Sequence, residues 1–193
     1  MPRTKEFDPD VALEAALELF WERGYEATSM ADLVERLGVA RASIYATFGS
    51  KHDLYVKAVD RYLRLKDPRI VESLSQPGPV VPQVRALVER YVAESVADER
   101  RRGCLVVNAA VELSPVDPEV ARRVGSSWDT LEVALTSALF RARAQGELSA
   151  DSDPRALARL LLAVLQGIRV LAKGGSSPER LRDAAEQALR ALR

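Results

Sequence analysis

The chain has 193 residues with 28 basic and 28 acidic side chains, and 47% of its residues are hydrophobic but only 6% aromatic. Its single cysteine excludes an internal disulfide framework, and its longest apolar run, residues 160–168, is too short to span a membrane, which takes ~20 residues. Abundant Ala and Leu favour helices over strands, and the N-terminus shows no apolar signal segment, so we expect an all-α, soluble, cytoplasmic protein without membrane contact.

The charges are unevenly distributed in the first third of the chain. Residues 6–35 hold nine acidic residues and one basic residue, a net charge of −8, whereas residues 36–66 hold seven basic and two acidic residues, a net charge of +5. Such asymmetry can mark a surface that binds a polyanion such as nucleic acid. A pair of amphipathic helices with solvated charges would give the same pattern, so charge alone leaves both interpretations open.

Three short helices are predicted near the N-terminus. An Asp-Pro pair at residues 8–9 is a typical helix start, and a glycine ends that helix. Thr28 or Ser29 then caps a second helix, which Gly38 ends, and a third helix begins near Arg41. Two short helices joined by a tight turn with glycine are typical of a helix-turn-helix.

A fourth helix is predicted to begin after Ser50, which can cap it, with Asp53 completing a capping box. We expect Asp67 and Pro68 to interrupt this helix, because proline removes a backbone donor, and a further short helix to reach about residue 75.

Five helices are predicted after a proline-rich loop at residues 76–82. They cover residues 82–102, 104–113, 117–145, 153–173 and 177–193. Three of them start with a capping residue followed by proline, at residues 117–118, 153–154 and 177–178, which is a specific start signal.

The third helix has an unusual composition. Ile44 and Phe48 lie four residues apart and share one face, while the other positions of "ARASIYAT" offer mostly Ala, Ser and Thr. A helix that enters the DNA major groove can use such a face, because small side chains let the backbone approach base edges and Arg41 can donate to guanine. The alternative is that these residues are ordinary surface helix formers, since helix-turn-helix geometry also occurs in proteins that do not bind DNA.

Four motifs within residues 19–59 resemble the N-terminal domain of the tetracycline-repressor (TetR) family of bacterial transcription regulators. They are F-x-x-x-G-Y-x-x-T-S before the second helix, L-G-V in the turn, I-Y-x-x-F in the third helix and S-K-x-x-L at the start of the fourth. The resemblance implies a three-helix helix-turn-helix DNA-binding head (residues 1–50), a connecting helix (51–66) and a helical ligand-sensing and dimerisation body (67–193). It also implies a homodimer that binds a double-stranded DNA operator and responds to a small-molecule effector.

The resemblance also implies roles for individual residues of the head. Matched position by position, the residues that contact phosphate, read bases or touch thymine methyl groups are Thr28, Ser29, Arg41, Ala42, Ser43, Tyr45, Thr47 and Lys51. Ala40, Ala42 and Thr47 depart from the residues that are common in the family, which leaves the operator sequence open.

The helix predicted over residues 153–173 is apolar nearly all round, so it must be buried on several sides. The resemblance implies that it forms a four-helix dimer interface with the last helix and their copies in a second subunit. The predicted interface residues are Leu157, Leu161, Leu165, Ile168, Leu181, Ala185 and Leu189. The alternative is that both helices belong only to the core of one subunit.

An effector pocket should be mostly apolar with a few polar groups. The candidates in the body are Tyr91, Cys104, Asn108, Glu112, Trp128, Leu131, Leu135 and Phe140. Asn108 and Glu112 are four residues apart and would share one cavity, unless they face solvent or cap neighbouring helices. Cys104 follows three arginines, which would lower its pKa if it is exposed, whereas a buried thiol would be inert.

No enzyme signature is present. The single histidine, His52, has no Cys or carboxylate cluster at metal-ligand spacing, and the chain has neither a phosphate-binding loop nor a Gly-x-Ser-x-Gly motif. We therefore predict no catalytic residues, no metal and no cofactor, and expect a ligand-responsive DNA-binding regulator, most often a repressor in this family. The alternatives are an activator or redox-responsive regulator of the same fold, or a helical protein-interaction module with a vestigial head.

Overall fold

The computed structural model describes residues 7–192, which form helices and no strand. The helices are α1 (Pro9–Arg23), α2 (Met30–Leu37), α3 (Arg41–Phe48), α4 (Lys51–Leu74), α5 (Val80–Ala97), α6 (Leu105–Glu112), α7 (Pro118–Ala144), α8 (Pro154–Lys173) and α9 (Pro178–Arg190). The prediction of an all-α protein is confirmed. Within the described part of the chain, no helix is both long and apolar enough to cross a membrane.

The predicted helix starts are confirmed where a capping side chain precedes proline. The carboxylates of Asp8, Asp117 and Asp153 each accept a backbone N–H from the first turn of the helix that follows, and Ser177 caps α9 in the same way. These contacts satisfy amides that a helix leaves without intrahelical partners. Local chemistry therefore sets these boundaries.

The predicted interruption of the fourth helix is wrong, because α4 runs through Pro68 without a break. Proline has no N–H, so the carbonyl of Arg64 loses its helical donor, at a cost of about 3 kcal/mol. Ile70 and Leu74, beyond the proline, are buried in the body, and their packing offsets this cost. The hydroxyl of Ser127 also donates to the carboxylate of Asp67 at 3.1 Å, which ties this turn to α7.

The fifth helix also differs from its predicted bounds, because α5 ends at Ala97 rather than near residue 102. The carboxylate of Asp98 accepts the backbone N–H of Gly103 at 3.0 Å, and Arg101 has a φ of 51°. A side chain that binds nearby backbone competes with helix continuation, so the loop replaces the last predicted turn.

Two hydrophobic clusters make up the core. The first cluster joins α1–α3 and the start of α4 to α6 and the start of α7, and the second joins the end of α4 to α5, α7, α8 and α9. Leu54 and Val59 of α4 lie in the first cluster, and Ile70 and Leu74 lie in the second. The long helix α4 therefore belongs to both halves of the molecule.

The residues of α8 and α9 that were predicted to form the dimer interface mostly face the inside of one subunit. Except for the half-buried Leu157, the predicted residues are already buried inside one subunit: Leu161, Leu165, Ile168, Leu181, Ala185 and Leu189. Four exposed apolar residues of α8, namely Ala156, Leu160, Ala163 and Val170, instead form a stripe with the half-buried Gly167 among them, and Leu171 is exposed beside it. We call these four residues and Gly167 the α8 stripe. A helix that is apolar nearly all round does not reveal from its periodicity which face is internal.

Candidate nucleic-acid interface

The helix α3 is fixed to the head by its apolar side. Ile44 and Phe48 are buried in the first cluster, as their spacing predicted. Gly38 adopts a left-handed φ of 64° in the turn before α3, a conformation that glycine tolerates best. The ammonium of Lys57 donates to the carbonyl of Phe48 at 3.2 Å and so holds the end of α3 against α4. The remaining face of α3 is left on the surface.

On that face Arg41, Ala42 and Tyr45 are exposed, and Ser43 and Thr47 are half-buried. A guanidinium N–H of Arg41 donates to the hydroxyl of Tyr45 at 3.2 Å, and the guanidinium carbon lies 5.6 Å from the centre of that ring. The two side chains therefore support each other while other guanidinium donors stay available. Ala40 provides no capping side chain at the start of the helix.

The start of α2 is a capping box. Both the hydroxyl and the backbone N–H of Ser29 donate to the carboxylate of Asp32, at 2.5 and 2.8 Å. The amides of Met30 and Ala31, at the first two helical positions, have no acceptor within the helix. Backbone amides at such an N-terminus favour an anion.

Thr28 does not fit the phosphate-contacting role that was predicted for it. Its side chain is 0% exposed and its hydroxyl donates to the carbonyl of Gly24 at 2.6 Å. A hydroxyl has one proton to donate, so Thr28 cannot also donate to a phosphate in this arrangement. It supports the turn between α1 and α2 instead.

The start of α4 repeats the capping box, with Ser50 and Asp53 in place of Ser29 and Asp32. Lys51 follows this cap and its ammonium lies 4.1 Å from the ring centre of Tyr25. This cation–π contact holds the lysine beside the helix N-terminus. Two helix N-termini with similar caps thus belong to the helices that precede and follow α3.

Several polar contacts join this head to the body. The carboxylate of Glu112 in α6 accepts the backbone N–H groups of Tyr25 and Glu26 at 3.0 and 2.8 Å. The indole of Trp21 donates to the carbonyl of Gly103 at 3.1 Å, and His52 contacts Asp117 at 2.5 Å. Burial alone would raise the pKa of Asp117, but the hydrogen bonds from His52 and from two backbone amides outweigh it and lower the pKa.

The prediction that Asn108 and Glu112 face one cavity is wrong. The side chain of Asn108 donates to the carbonyl of Arg102 at 3.0 Å, whereas Glu112 binds the turn of the head. Both residues stabilise backbone at different places. The sequence singled out Glu112 as a polar residue on an apolar helix, but its partners lie far away in the chain.

The other predicted pocket residues are also dispersed. Leu131 and Leu135 are core residues of the second cluster, Trp128 packs against the first cluster, and Phe140 is 44% exposed on the outer surface of α7. They do not line a common cavity with Tyr91. Leu131, Leu135, Trp128 and Phe140 therefore do not form the predicted pocket with Tyr91, which does line a cavity.

Tyr91 lines a cavity of about 360 Å³ between the head and the body. We call it the junction cavity; its walls include Leu17 and Trp21 of α1, Tyr62 and Lys66 of α4, Tyr91 of α5 and Arg169 of α8. No local sequence pattern predicts this cavity, because its walls come from four helices that are distant in the chain.

Cys104 is buried, with its sulfur 3.2 Å from the ammonium of Lys66 and 3.6 Å from the hydroxyl of Tyr62. Burial, the largest single effect, opposes ionisation of the thiol, but the Lys66 ammonium together with hydrogen bonds from the Val107 backbone and from Tyr62 outweighs it and lowers the pKa of Cys104. The arginine run before Cys104, which the sequence suggested as the cause, contributes no such contact: Arg100 pairs with Glu22 and Arg102 with Glu18 and Asp98.

Known protein families match both halves of the chain. Residues 12–58 match the family model for bacterial regulatory proteins of the tetR family, and residues 80–192 match the tetracyclin repressor-like C-terminal domain. An uncharacterized HTH-type transcriptional regulator of Bacillus subtilis, YezE, is 40% identical over the whole length of both chains. The transcriptional repressor ComR of Escherichia coli is 32% identical, covering 97% of this chain and 90% of ComR.

A solved structure extends the comparison to DNA. A cysteine-substituted variant of the TetR family regulator CifR, in complex with 26-base-pair operator DNA, superposes with a TM-score of 0.87 and 35% identity. The match covers 99% of this chain and 100% of the CifR chain.

Proposed function

The chain belongs to the TetR family and is a DNA-binding transcriptional regulator, and from that premise we propose that it represses transcription by binding a palindromic operator as a homodimer until a small effector releases it. The observation that supports this proposal most directly is the orientation of α3 in the head. Its apolar side is buried, its small and basic side is exposed, and capped N-termini of α2 and α4 occur before and after it. We assign the chain no enzymatic activity.

We propose that α3 enters the major groove of the operator. Arg41 would donate to guanine, Ala42 would let the backbone approach the bases, and Ser43, Tyr45 and Thr47 would contact bases, thymine methyl groups or phosphate. The amides of Met30 and Ala31 at the start of α2 and the ammonium of Lys51 would hold the DNA backbone, while Ser29, whose hydroxyl already donates to Asp32, caps α2. These contacts fit a bacterial protein acting in the cytoplasm, at the nucleoid.

We propose that the second subunit packs on the α8 stripe. Small residues at Ala156, Ala163 and Gly167 let two helices approach closely, and Leu160 and Val170 supply apolar area. Two subunits joined there would present two heads to successive turns of DNA, which a palindrome requires. We keep the predicted division into head (1–50), connecting helix (51–66) and body (67–193), with the connecting helix continuing into the body.

The test is operator binding, measured by fluorescence anisotropy on a palindrome selected from random DNA. Arg41→Ala should weaken binding by about 1–3 kcal/mol and relax base preference at one position in each half-site. Lys51→Ala should weaken binding to all sequences and reduce the salt dependence. Arg64→Ala, an exposed arginine in the middle of α4, is the matched control. The interface is wrongly assigned if Arg41→Ala and Lys51→Ala both bind like the wild type.

A further inference from the structure

The junction cavity contains a cation without a carboxylate partner. Among residues 7–192, no carboxylate oxygen lies within 4 Å of the Lys66 ammonium, which sits 5.6 and 5.5 Å from the ring centres of Tyr62 and Tyr91. Its hydrogen-bond acceptor is the sulfur of Cys104, which supplies a countercharge only when ionised. Withdrawing an ammonium from water without a counterion is costly, so this position favours an added anion.

The acidic residues around the cavity are already engaged. Glu14 pairs with Arg61, Glu18 with Arg102 and Glu94 with Arg169. None of these carboxylates is thus left for Lys66. The lining holds four basic side chains (Lys66, Arg69, Arg90 and Arg169) against these three acidic ones, so one negative charge on a ligand would balance it.

A second polar group in the cavity lacks a partner. Tyr91 is 2% exposed, lines the cavity, and its hydroxyl has no hydrogen-bond partner among the described residues. Buried polar groups in folded proteins are normally hydrogen-bonded, and an unpaired one is a candidate for binding a ligand or water. The apolar and aromatic part of the wall consists of Leu17, Trp21, Tyr62, Leu65 and Ile70, and charged side chains line the rest.

We propose that the junction cavity is the effector site and that the effector is an organic carboxylate with one negative charge and a compact apolar or aromatic body. Lys66 and Tyr91 offer donors for the two carboxylate oxygens, and the apolar wall receives the body of the ligand. This inference rests on the proposed function, since it names the ligand class that controls the DNA-binding head. The cavity volume of about 360 Å³ suits a small ligand.

The position of the cavity explains how such a ligand would act on DNA binding. Leu17 and Trp21 belong to α1 of the head, whereas Tyr91 and Arg169 belong to the body. A ligand between them contacts both halves at once. It therefore favours whichever relative position of head and body makes those contacts, which is the differential affinity that a population shift requires.

The experiment compares phenylacetate with its neutral amide, phenylacetamide, by isothermal titration calorimetry on the full-length protein. The acid should bind about tenfold tighter than the amide or better, since a hydrogen bond to a charged group is worth about 1.5–3 kcal/mol. Lys66→Met should abolish this preference, and Tyr91→Phe, which removes only the hydroxyl, should weaken the acid several-fold. Arg64→Met, on the same helix but outside the cavity, should bind both probes like the wild type.

The inference is overturned if the wild type binds neither probe or does not distinguish them, or if Tyr91→Phe and Lys66→Met both keep the full preference for the acid. Operator binding of the ligand-free wild type is measured in parallel. If acid binding is selective but no palindrome is bound, the proposed function fails while the anion site stands. If the operator is bound normally but acid and amide bind equally, only the ligand class fails.

Discussion

At the scale of single residues, the two capping boxes connect the stability of the head to its DNA-facing surface. Hydrogen bonds from Ser29, together with Arg23 at 2.7 Å, lower the pKa of Asp32. The hydrogen bonds from Ser50 likewise lower the pKa of Asp53. A carboxylate at a helix N-terminus is also favoured by the helix dipole. Both acids therefore stabilise the helices next to α3 while they are ionised.

The pH dependence of this stabilisation has a definite sign. Because folding lowers both pKa values, the stabilisation is present above the ordinary carboxyl pKa of about 4 and is lost as the pH falls through the lowered values. At neutral pH, the double substitution Asp32→Asn and Asp53→Asn should lower the melting temperature by a few degrees. That difference should shrink as the solution is acidified below about pH 4, measured by circular dichroism.

The control is Asp183→Asn, which changes an exposed carboxylate of α9 that caps no helix. It should leave the melting temperature close to that of the wild type. A double variant that differs from the wild type by the same amount at neutral and acidic pH would show that the charge of the two caps does not contribute.

Among single residues, the sequence motifs predicted the roles of some side chains but not of others. The T-S pair before α2 predicted two side chains for phosphate, and the capping role of Ser29 is confirmed. The burial of Thr28 depends on how the α1–α2 turn folds back onto the head. The T-S pair alone does not predict that fold. The inward side of α3 was predictable, because the spacing of Ile44 and Phe48 is a local property.

At the scale of helices, local sequence signals predicted where several helices start, whereas tertiary packing decided how far α4 runs and which face of α8 is buried. The starts of α7, α8 and α9 follow from a cap and a proline that are adjacent in the chain. The continuation of α4 through Pro68 depends on Ile70 and Leu74 finding the body core, so residues remote in sequence decide it. The orientation of α8 depends in the same way on which neighbours it meets.

The exposed stripe of α8 gives a prediction about assembly. Leu160→Glu places a charge on a residue that is 44% exposed in one subunit and would be buried in the dimer. Burying an unpaired charge costs several kcal/mol, so the dimer dissociation constant should rise about 100-fold or more while the subunit stays folded. Sedimentation analysis and circular dichroism would measure both quantities.

Val116→Glu is the matched control, since Val116 is 79% exposed in the loop before α7 and lies outside the α8 stripe. It should leave the dimer intact. Leu161→Glu, one residue from Leu160 but buried in the core, should unfold the subunit instead. A Leu160→Glu protein that dimerises as tightly as the wild type would exclude this surface as the interface.

At the scale of the whole molecule, the head and the body are joined by a shared hydrophobic cluster and by specific polar contacts between residues far apart in the chain. Glu112 binds the backbone of Tyr25 across 87 positions of sequence, and Trp21 binds Gly103 across 82. The composition and helix pattern predicted an all-α architecture, which is confirmed, and the resemblance to the TetR family implied a head and a helical body. No local pattern predicts contacts between residues so far apart, which is why the junction cavity and the role of Glu112 emerged only from the structure.

The contact of Glu112 with the head can be tested directly. Glu112→Gln leaves one good acceptor where two backbone amides now bind, so one of them loses its partner. Hydrogen exchange of the Tyr25 and Glu26 amides should accelerate up to about tenfold, in line with the net contribution of about 0.5–1.5 kcal/mol from one hydrogen bond. Exchange in α8 should not change, since α8 lies in the other hydrophobic cluster.

Glu26→Gln serves as the comparison, because Glu26 is an exposed carboxylate of the same turn. Its exchange should match that of the wild type. Equal protection of the Tyr25 and Glu26 amides in Glu112→Gln and in the wild type would mean that Glu112 does not hold the head.

Pro68 weakens one turn of α4 without breaking the helix. The turn at Arg64 lacks one of its own hydrogen bonds and is kept in line by side chains packed in the body, so it is the natural hinge of the helix. Lys66 lies beside this hinge, and Lys51 lies fifteen residues, or about 22 Å, toward the other end. A swing of about 5° at the hinge would therefore move Lys51 by about 2 Å. A small displacement of α4 at the junction cavity would therefore become a larger displacement at the surface proposed to meet DNA.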